Sequence, residues 1–489
     1  MLTISGKSDM SNQKMKILRP TYHFTAPKGW INDPNGLIQY KGKYHLFYQH
    51  NPDSCDWSSM HWGHAVSSDL ILWEHLPIAL HPDMPYDSDK NGGCFSGSSI
   101  GLDDGTLGIV YTGSVIQNGK VIQTQNLAFS EDGITFYKYP NNPIIDAFSE
   151  KEDQSDFRDP KVFAYDGKWY LVAGVSKGGT GHGEGRVLLY SSNDLKKWDY
   201  CGVLFSCEDR WGTMCECPDF FQLGDYWVLT FSPMYSQKME KSLYVAGTMD
   251  FSNYQFSAKK IGVVDYGFDF YGSQSFLADD GRRIIIGWQN GWEWMPWFNG
   301  FGPTESEGWR GSMSFPRMLE LDENLILRQS PINELDNILE NDTEFSDLSV
   351  TSSPMEFFPR NPQSFVVRIN CLVKDISSRF IEIGIRSGNN RAAIVQCDFY
   401  SGVLSFDRSN ADNYSTGRLS CPLEANNGVY NLQMLVDSNS VEIFSDDGRH
   451  CISATIYPEI TQNGFWIKTP YKDCHIKSFG IFSVNSRNR

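Results

Sequence analysis

Five times along the first two-thirds of the chain, a turn glycine is followed by a short apolar run rich in aromatic residues. The copies are Gly42-Lys43-Tyr44-His45-Leu46-Phe47-Tyr48, Gly105-Thr106-Leu107-Gly108-Ile109-Val110-Tyr111, Gly167-Lys168-Trp169-Tyr170-Leu171-Val172, Gly224-Asp225-Tyr226-Trp227-Val228-Leu229 and Gly281-Arg282-Arg283-Ile284-Ile285-Ile286. Successive glycines lie 63, 62, 57 and 57 residues apart, a spacing that marks a repeat architecture. Each is preceded by another strand-like run, so each copy reads as a β-hairpin with a glycine in its turn. Segments such as Ser67-Ser68-Asp69-Leu70-Ile71-Leu72-Trp73 and Ser191-Ser192-Asn193-Asp194-Leu195-Lys196-Lys197-Trp198 follow some copies and supply outer strands. No helical periodicity separates the units. Five antiparallel units of this size fit a five-bladed β-propeller better than a sandwich, and predict one over residues 21–325.

The pattern changes after Arg317. Pro331 to Leu339 has apolar residues three to four apart, which predicts a short helix or irregular connection within a linker at residues 326–346. From 347 to 489 the alternation of strands resumes, as in Phe365-Val366-Val367-Arg368-Ile369 and Phe380-Ile381-Glu382-Ile383-Gly384-Ile385. Gly, Asn and Asp turns between such runs predict a β-sandwich. The chain is therefore expected to be all-β, with a structural module following the propeller.

Composition narrows the partners. At 489 residues the chain exceeds what one hydrophobic core supports. Hydrophobic residues make up 40% and charged residues 21%, which excludes a disordered chain. The aromatic share of 14%, including 14 Trp, exceeds ordinary packing needs and points to stacking or sugar-facing surfaces. A formal charge of -17 argues against nucleic acid and anionic membrane as partners. No stretch approaches the roughly 18 consecutive apolar residues of a membrane span. The polar segment 1–20 lacks the apolar core of a secretory signal, so a cytoplasmic protein is expected. The 11 cysteines are scattered and fit reduced thiols. Cys215 and Cys217 form a C-x-C pair that is too little for zinc, so no metal and no cofactor are predicted.

The candidate chemistry begins at Trp30-Ile31-Asn32-Asp33-Pro34-Asn35-Gly36, where a carboxylate stands among turn-formers. Asp33 lies nine residues before its turn glycine. Ser96 lies nine, Asp159 eight, Glu216 eight and Gly272 nine residues before theirs. Residues at one phase of the innermost strands of a propeller converge on its axial pocket. Turn propensity accounts for one acid but not for three from different units, where charges would repel without a task. Two carboxyl groups about 5 to 5.5 Å apart are the apparatus of a retaining glycosidase. Asp33, beside the amides of Asn32 and Asn35, is expected to stay ionised as a nucleophile. Glu216, with apolar or weakly polar neighbours in Met214-Cys215-Glu216-Cys217-Pro218, is expected to hold the proton an acid delivers. Asp159 is expected to be kept ionised by Arg158 and to grip sugar hydroxyls.

These blocks, with Phe95-Ser96-Gly97-Ser98, Phe157-Arg158-Asp159-Pro160 and Glu216-Cys217-Pro218-Asp219, resemble the signatures of glycoside hydrolase family 32, the invertases, sucrose-6-phosphate hydrolases, inulinases and levanases. The resemblance extends through Tyr48-Gln49-His50-Asn51-Pro52, His61-Trp62-Gly63-His64-Ala65, Phe268-Asp269-Phe270-Tyr271 and Gly308-Trp309-Arg310-Gly311 to Phe315-Pro316-Arg317. Leu435-Val436-Asp437 and Val441-Glu442-Ile443-Phe444 resemble that family's C-terminal β-sandwich. It implies cleavage of terminal β-linked fructose with retention and without a cofactor. Carried over, Asp33 is the nucleophile, Glu216 the acid/base and Asp159 the transition-state stabiliser. Asn32, Gln49, Trp57, Phe95, Ser96 and Arg158 line the fructose subsite. Two positions depart from the pattern, Ser58 after Trp57 and Cys215 before the acid. The expected substrate is a small carbohydrate such as sucrose, a short fructo-oligosaccharide or sucrose 6-phosphate. A fructosyltransferase using the same intermediate and a carbohydrate-binding propeller are the alternatives, and a homo-oligomer is left open. Trp288 to Trp297 reads equally as packing and as a sugar-facing wall, so it stays outside the predicted site.

Overall fold

Glycine turns set the register of the N-terminal region. At Lys41-Gly42 and Asp166-Gly167 both turn residues have positive φ, 48° and 75° at the first and 47° and 73° at the second. This is the geometry of a two-residue hairpin, whose second place favours glycine. The computed structural model describes residues 18–146, 156–179, 183–207, 210–236, 240–295, 300–372, 379–470 and 472–485. The regular structure of these residues is almost wholly strand, with only short 3₁₀ segments besides, in keeping with the all-β expectation.

Five antiparallel sheets come first. From innermost to outermost strand, the first sheet runs Gly29–Tyr40, Lys43–Asn51, His61–Ser67 and Trp73–Leu80, and the second Gly93–Gly101, Leu107–Gln117, Lys120–Ser130 and Tyr137–Lys138. The third runs Arg158–Tyr165, Lys168–Lys177, Glu184–Ser192 and Asp199–Ser206, and the fourth Met214–Leu223, Tyr226–Met234, Leu243–Asp250 and Gln255–Val263. The fifth runs Tyr271–Leu277, Arg283–Gln289, Arg317–Leu321 and Leu327–Pro331. The inner strands contact one another in sheet order, and the fifth contacts the first. A short strand, Trp309–Arg310, adds in parallel to Gly29 and Trp30 and ties the late chain back to the first sheet.

Packing between sheets explains why the repeated runs are apolar at successive positions. Neighbouring side chains on a strand face opposite ways, and here both faces are covered. Ile109 packs with Phe47 and Trp62 of the first sheet, while Val110 packs with Leu171 and Ala173 of the third. Val172 meets Phe220 and Leu229 of the fourth sheet, Val228 meets Ile285 of the fifth, and Ile284 and Ile286 meet Leu46 and Tyr48 of the first. Each such burial contributes about 1.5–3 kcal/mol.

Residues 326–346, expected as a linker, are mostly strand. Leu327–Pro331 completes the fifth sheet and Leu339–Val350 opens the next. The apolar spacing between them belongs to one short 3₁₀ segment, Asn333–Ile338, which buries Leu335 and Ile338. Two six-stranded sheets follow. One contributes Val367, Ile369, Met434, Val436 and Ile443 to their shared core, and the other Ile383, Ile385, Val395, Phe406, Phe465 and Ile467. The first of these sheets turns its opposite face, including Val366, Leu435 and Phe444, onto Phe315, Ile332 and Leu335. Among the described residues, no helix is long and apolar enough to cross a membrane.

A buried ionic seam crosses this junction. Arg317, with a fully buried side chain, lies 2.9 Å from Asp265 and 2.5 Å from Glu442. Its guanidinium sits 4.3 Å from the Phe270 ring centroid and 5.0 Å from that of Phe444. Arg408 reaches back to Asp269 at 2.8 Å. His23 bridges Asp437 at 2.9 Å and Glu442 at 3.0 Å. Burial works against its charge, but the two carboxylates outweigh burial and push its pKa from 6.5 to about 9. A raised pKa contributes its stabilisation in full below the unfolded value of 6.5, and that contribution is lost as pH rises through about 9. Urea unfolding of the wild type is therefore expected to show stability declining over this window. His23→Gln should flatten the decline and cost about 3 kcal/mol, because two buried carboxylates lose a partner. An unchanged slope in the variant would contradict this account of the seam.

Candidate active site

At the start of each inner strand the ladder slips. Register shifts fall between Ile31 and Pro34, at Phe95/Gly97, at Asp159-Pro160, between Glu216 and Asp219, and between Tyr271 and Gln274. Such bulges interrupt pairing and re-aim side chains. In the third, fourth and fifth sheets the first bulged residue has positive φ, with Asp159 at 63°, Cys217 at 49° and Gly272 at 57°. Two of these are not glycine, and αL backbone at such residues is a strain that functional sites often hold.

The bulges correct the phase read from the sequence. Counting from the turn glycine sets Glu216 level with Asp159. The ladders instead place Cys217 level with Asp159, and Glu216 level with Arg158 and Tyr271. The acid thus stands one residue earlier along its strand. The prolines that follow Asp33, Asp159 and Cys217 carry this alignment in the sequence, and counting from the glycines passes over it.

Asp33, Ser96, Asp159, Cys217 and Gly272 do converge. Asp33 Oδ2 accepts a hydrogen bond from Ser96 Oγ at 2.6 Å and one from Cys217 Sγ at 3.4 Å. Its Oδ1 is buried with no hydrogen-bond partner among the described residues. A Cβ on Gly272 would lie 2.5 Å from that oxygen, so only glycine leaves it room. Asp159 Oδ2 accepts the Cys217 amide at 2.9 Å, and the Asp159 amide donates to Thr112 Oγ1 at 2.9 Å. Glu216 Oε1 accepts from Arg158 Nη2 at 2.8 Å, and Oε2 accepts a short hydrogen bond from the Tyr271 hydroxyl.

The charge arrangement departs from three expectations. Burial pushes Asp33 up to about 6, helped by the charge of Glu216 and opposed by Ser96, Asn32 and Cys217, so neighbouring amides do not hold it low. Asn35 is also turned away, and its amide in the corrected orientation pairs with Gln49. Asp159 is likewise raised by burial, to about 7, because Arg158 only partly offsets burial and the charges of Glu216 and Asp33. Arg158 lies 3.9 Å from Asp159 but 2.9 Å from Asp156 and 2.8 Å from Glu216. The surroundings of Glu216 are this guanidinium and a phenol, and Cys215 points away to lie 3.0 Å from Cys207. Since the Cys217 thiol faces Asp33, the C-x-C pair does not converge. Among the described residues, no group of three or more His, Cys, Asp and Glu is placed to hold a metal.

The remaining predicted residues form walls. Asn32 accepts the Trp30 indole N–H at 2.7 Å, and Gln49 donates to the Cys94 carbonyl at 2.9 Å, joining the first two sheets. Trp57 and Phe95 are partly buried and meet edge to face at 5.8 Å. The tryptophan stretch divides. Trp288 is fully buried and Trp292 stacks on Trp30, whereas Trp294 stands beside Tyr235 and Tyr271. Pro296 and Trp297 lie outside the described residues. Tyr271, Cys217 and Trp294 were not among the predicted site residues, although Tyr271 directly precedes Gly272, the fifth residue of the phase.

Comparison with known proteins places the whole chain in one family. Residues 23–331 match the model of the glycosyl hydrolases family 32 N-terminal domain, and residues 334–479 match that of the family 32 C-terminal region. A sucrose-6-phosphate hydrolase of Escherichia coli is 35% identical, over 90% of this chain and 89% of its own. A levanase of Bacillus subtilis is 31% identical, over 98% of this chain and 73% of its own. The solved structure of a Bombyx mori family 32 β-fructofuranosidase superposes with a TM-score of 0.80 at 30% identity, covering 96% of this chain and 94% of that one. The chain belongs to glycosyl hydrolase family 32.

Proposed function

We propose that the five N-terminal sheets are the blades of a propeller, and that the chain is a retaining β-fructofuranosidase acting on terminal β-D-fructofuranosides. The ring of inner strands, closed from the fifth back to the first, supports the architecture. The observation that carries the function is a buried carboxylate oxygen, Asp33 Oδ1, without a hydrogen-bond partner among the described residues, beside a second carboxyl that Arg158 and Tyr271 hold in place.

In this reading Asp33 attacks the anomeric carbon of the fructosyl unit while Glu216 protonates the departing glycosidic oxygen. Water then enters on the same face. Glu216 takes its proton, the bond to Asp33 breaks, and fructose leaves with its configuration retained. Asp159 accepts hydrogen bonds from fructose hydroxyls, and Asn32, Gln49, Trp57, Phe95, Ser96 and Arg158 shape the subsite. Tyr271 and Arg158 hold the Glu216 carboxyl toward the leaving oxygen. The sandwich is a structural module anchored through the His23–Arg317 seam.

Two measurements test the reading. Asp33→Asn should lower kcat for sucrose by about 10⁴-fold or more, since the attacking group is lost, and substantial residual fructose release would sink the assignment. A panel of sucrose, sucrose 6-phosphate, kestose, inulin and levan on the wild type then ranks the leaving groups. Asp33 attacks only when ionised, so kcat/KM should fall as pH drops below about 6. The Ser96 hydroxyl favours the ionised form, and Ser96→Ala should move this acidic limb upward by about one pH unit. A limb that stays in place would show that Asp33 does not set it.

A further inference from the structure

The catalytic carboxylates sit near the beginnings of the inner strands, and the far ends of all five strands wall a second cavity of about 550 Å³. Two cations, Lys161 and Arg283, line it, and no carboxylate does. That is a local inversion in a chain of formal charge -17.

The two cations differ. Lys161 is matched, with Nζ 3.2 Å from Asp219, donating to the Ser275 carbonyl at 2.6 Å and to Gln274 at 3.2 Å. The Arg283 guanidinium lies 4.7 Å from the Phe221 ring centroid and makes no hydrogen bond or ion pair among the described residues. Among the described residues its Nε is buried without a hydrogen-bond partner, as are the Ser99 and Ser275 hydroxyls in the same wall. Burial lowers its pKa from the ordinary value, and Asp219, already taken by Lys161, offsets this only in part. Buried polar groups in native proteins ordinarily find partners, and a planar guanidinium fork matches the paired oxygens of an oxyanion.

We propose that this cavity is a second ligand site, separate from the fructosidase centre, that binds phosphate or a phosphate monoester against Arg283. The volume lies within the range of small-molecule pockets and exceeds what phosphate alone needs. Tyr165, exposed in the same wall, gives an apolar surface against which an attached sugar ring can lie.

Isothermal titration calorimetry on the full chain at fixed ionic strength tests this, with inorganic phosphate and glucose 6-phosphate as probes. Arg283→Gln removes the guanidinium. Leu277→Glu adds a carboxylate at a rim position that is 58% exposed, so it leaves the core untouched. Binding at millimolar or tighter Kd is expected for the wild type, weakened about tenfold or more by either variant. Sucrose hydrolysis in phosphate-free buffer should be unchanged in both. Tighter binding of glucose 6-phosphate than of phosphate assigns the monoester, and equal binding assigns the free anion. No binding to the wild type, binding that survives both variants, or binding competitive with fructose would overturn the proposal. The competitive result would place the anion at the catalytic mouth.

Discussion

Arg158 is the only cation in direct contact with Asp33, Asp159 or Glu216 among the described residues, and it is buried with Asp156, Asp159 and Glu216 around it. Two unit charges 4 Å apart interact by about 4 kcal/mol at the effective dielectric of a protein, so one guanidinium cannot neutralise every acid near it. Burial first, and the uncompensated negative charge after it, push Asp33 up to about 6 and Asp159 up to about 7. Carboxyl groups raised this far toward neutrality are a mark of functional sites. Burial, which raises both groups, also strengthens every hydrogen bond that a sugar would make there.

The scaffold keeps this cluster in place by two separate means. Alternating side chains of each second strand lock neighbouring sheets together, which fixes where the inner strands begin. Bulges at those beginnings then turn individual residues into the centre, so a residue one place along the strand faces a different partner. Gly272 shows how close the tolerance is, since one added carbon would occupy the space of the Asp33 carboxylate. The sandwich stands outside this cluster and is held by the seam of Arg317, Glu442, Asp265 and His23, whose charges are mutually satisfied.

Much of this was legible in the sequence because repetition is visible without coordinates. The spacing of Gly42, Gly105, Gly167, Gly224 and Gly281 implied five hairpins, and the phase before them brought Asp33, Ser96, Asp159 and Gly272 to one place. What the glycine count hid was the place of the glycine within its turn. It is the second turn residue in Asp166-Gly167 but the first in Gly224-Asp225, and this moves Glu216 by one position against Asp159. Charge assignments also failed where sequence neighbours stood in for spatial ones. Arg158 adjoins Asp159 in the chain, yet its closest carboxylates are Asp156 and Glu216. Asn35 adjoins the turn that carries Asp33, yet turns to Gln49. The expected linker was lost for a similar reason, because Leu327–Pro331 finds its ladder in Arg317–Leu321 and shows little strand alternation of its own.

The central claim is that Asp33 forms a bond to the sugar. The direct measurement is acid quenching of the Glu216→Gln variant with an activated fructoside whose departure needs no proton, followed by peptide mass mapping. The account predicts one fructosyl unit on the peptide that carries Asp33, because loss of the base slows hydrolysis of the intermediate. A label on Asp159 or elsewhere, or release of fructose with no labelled peptide at any time point, would contradict it.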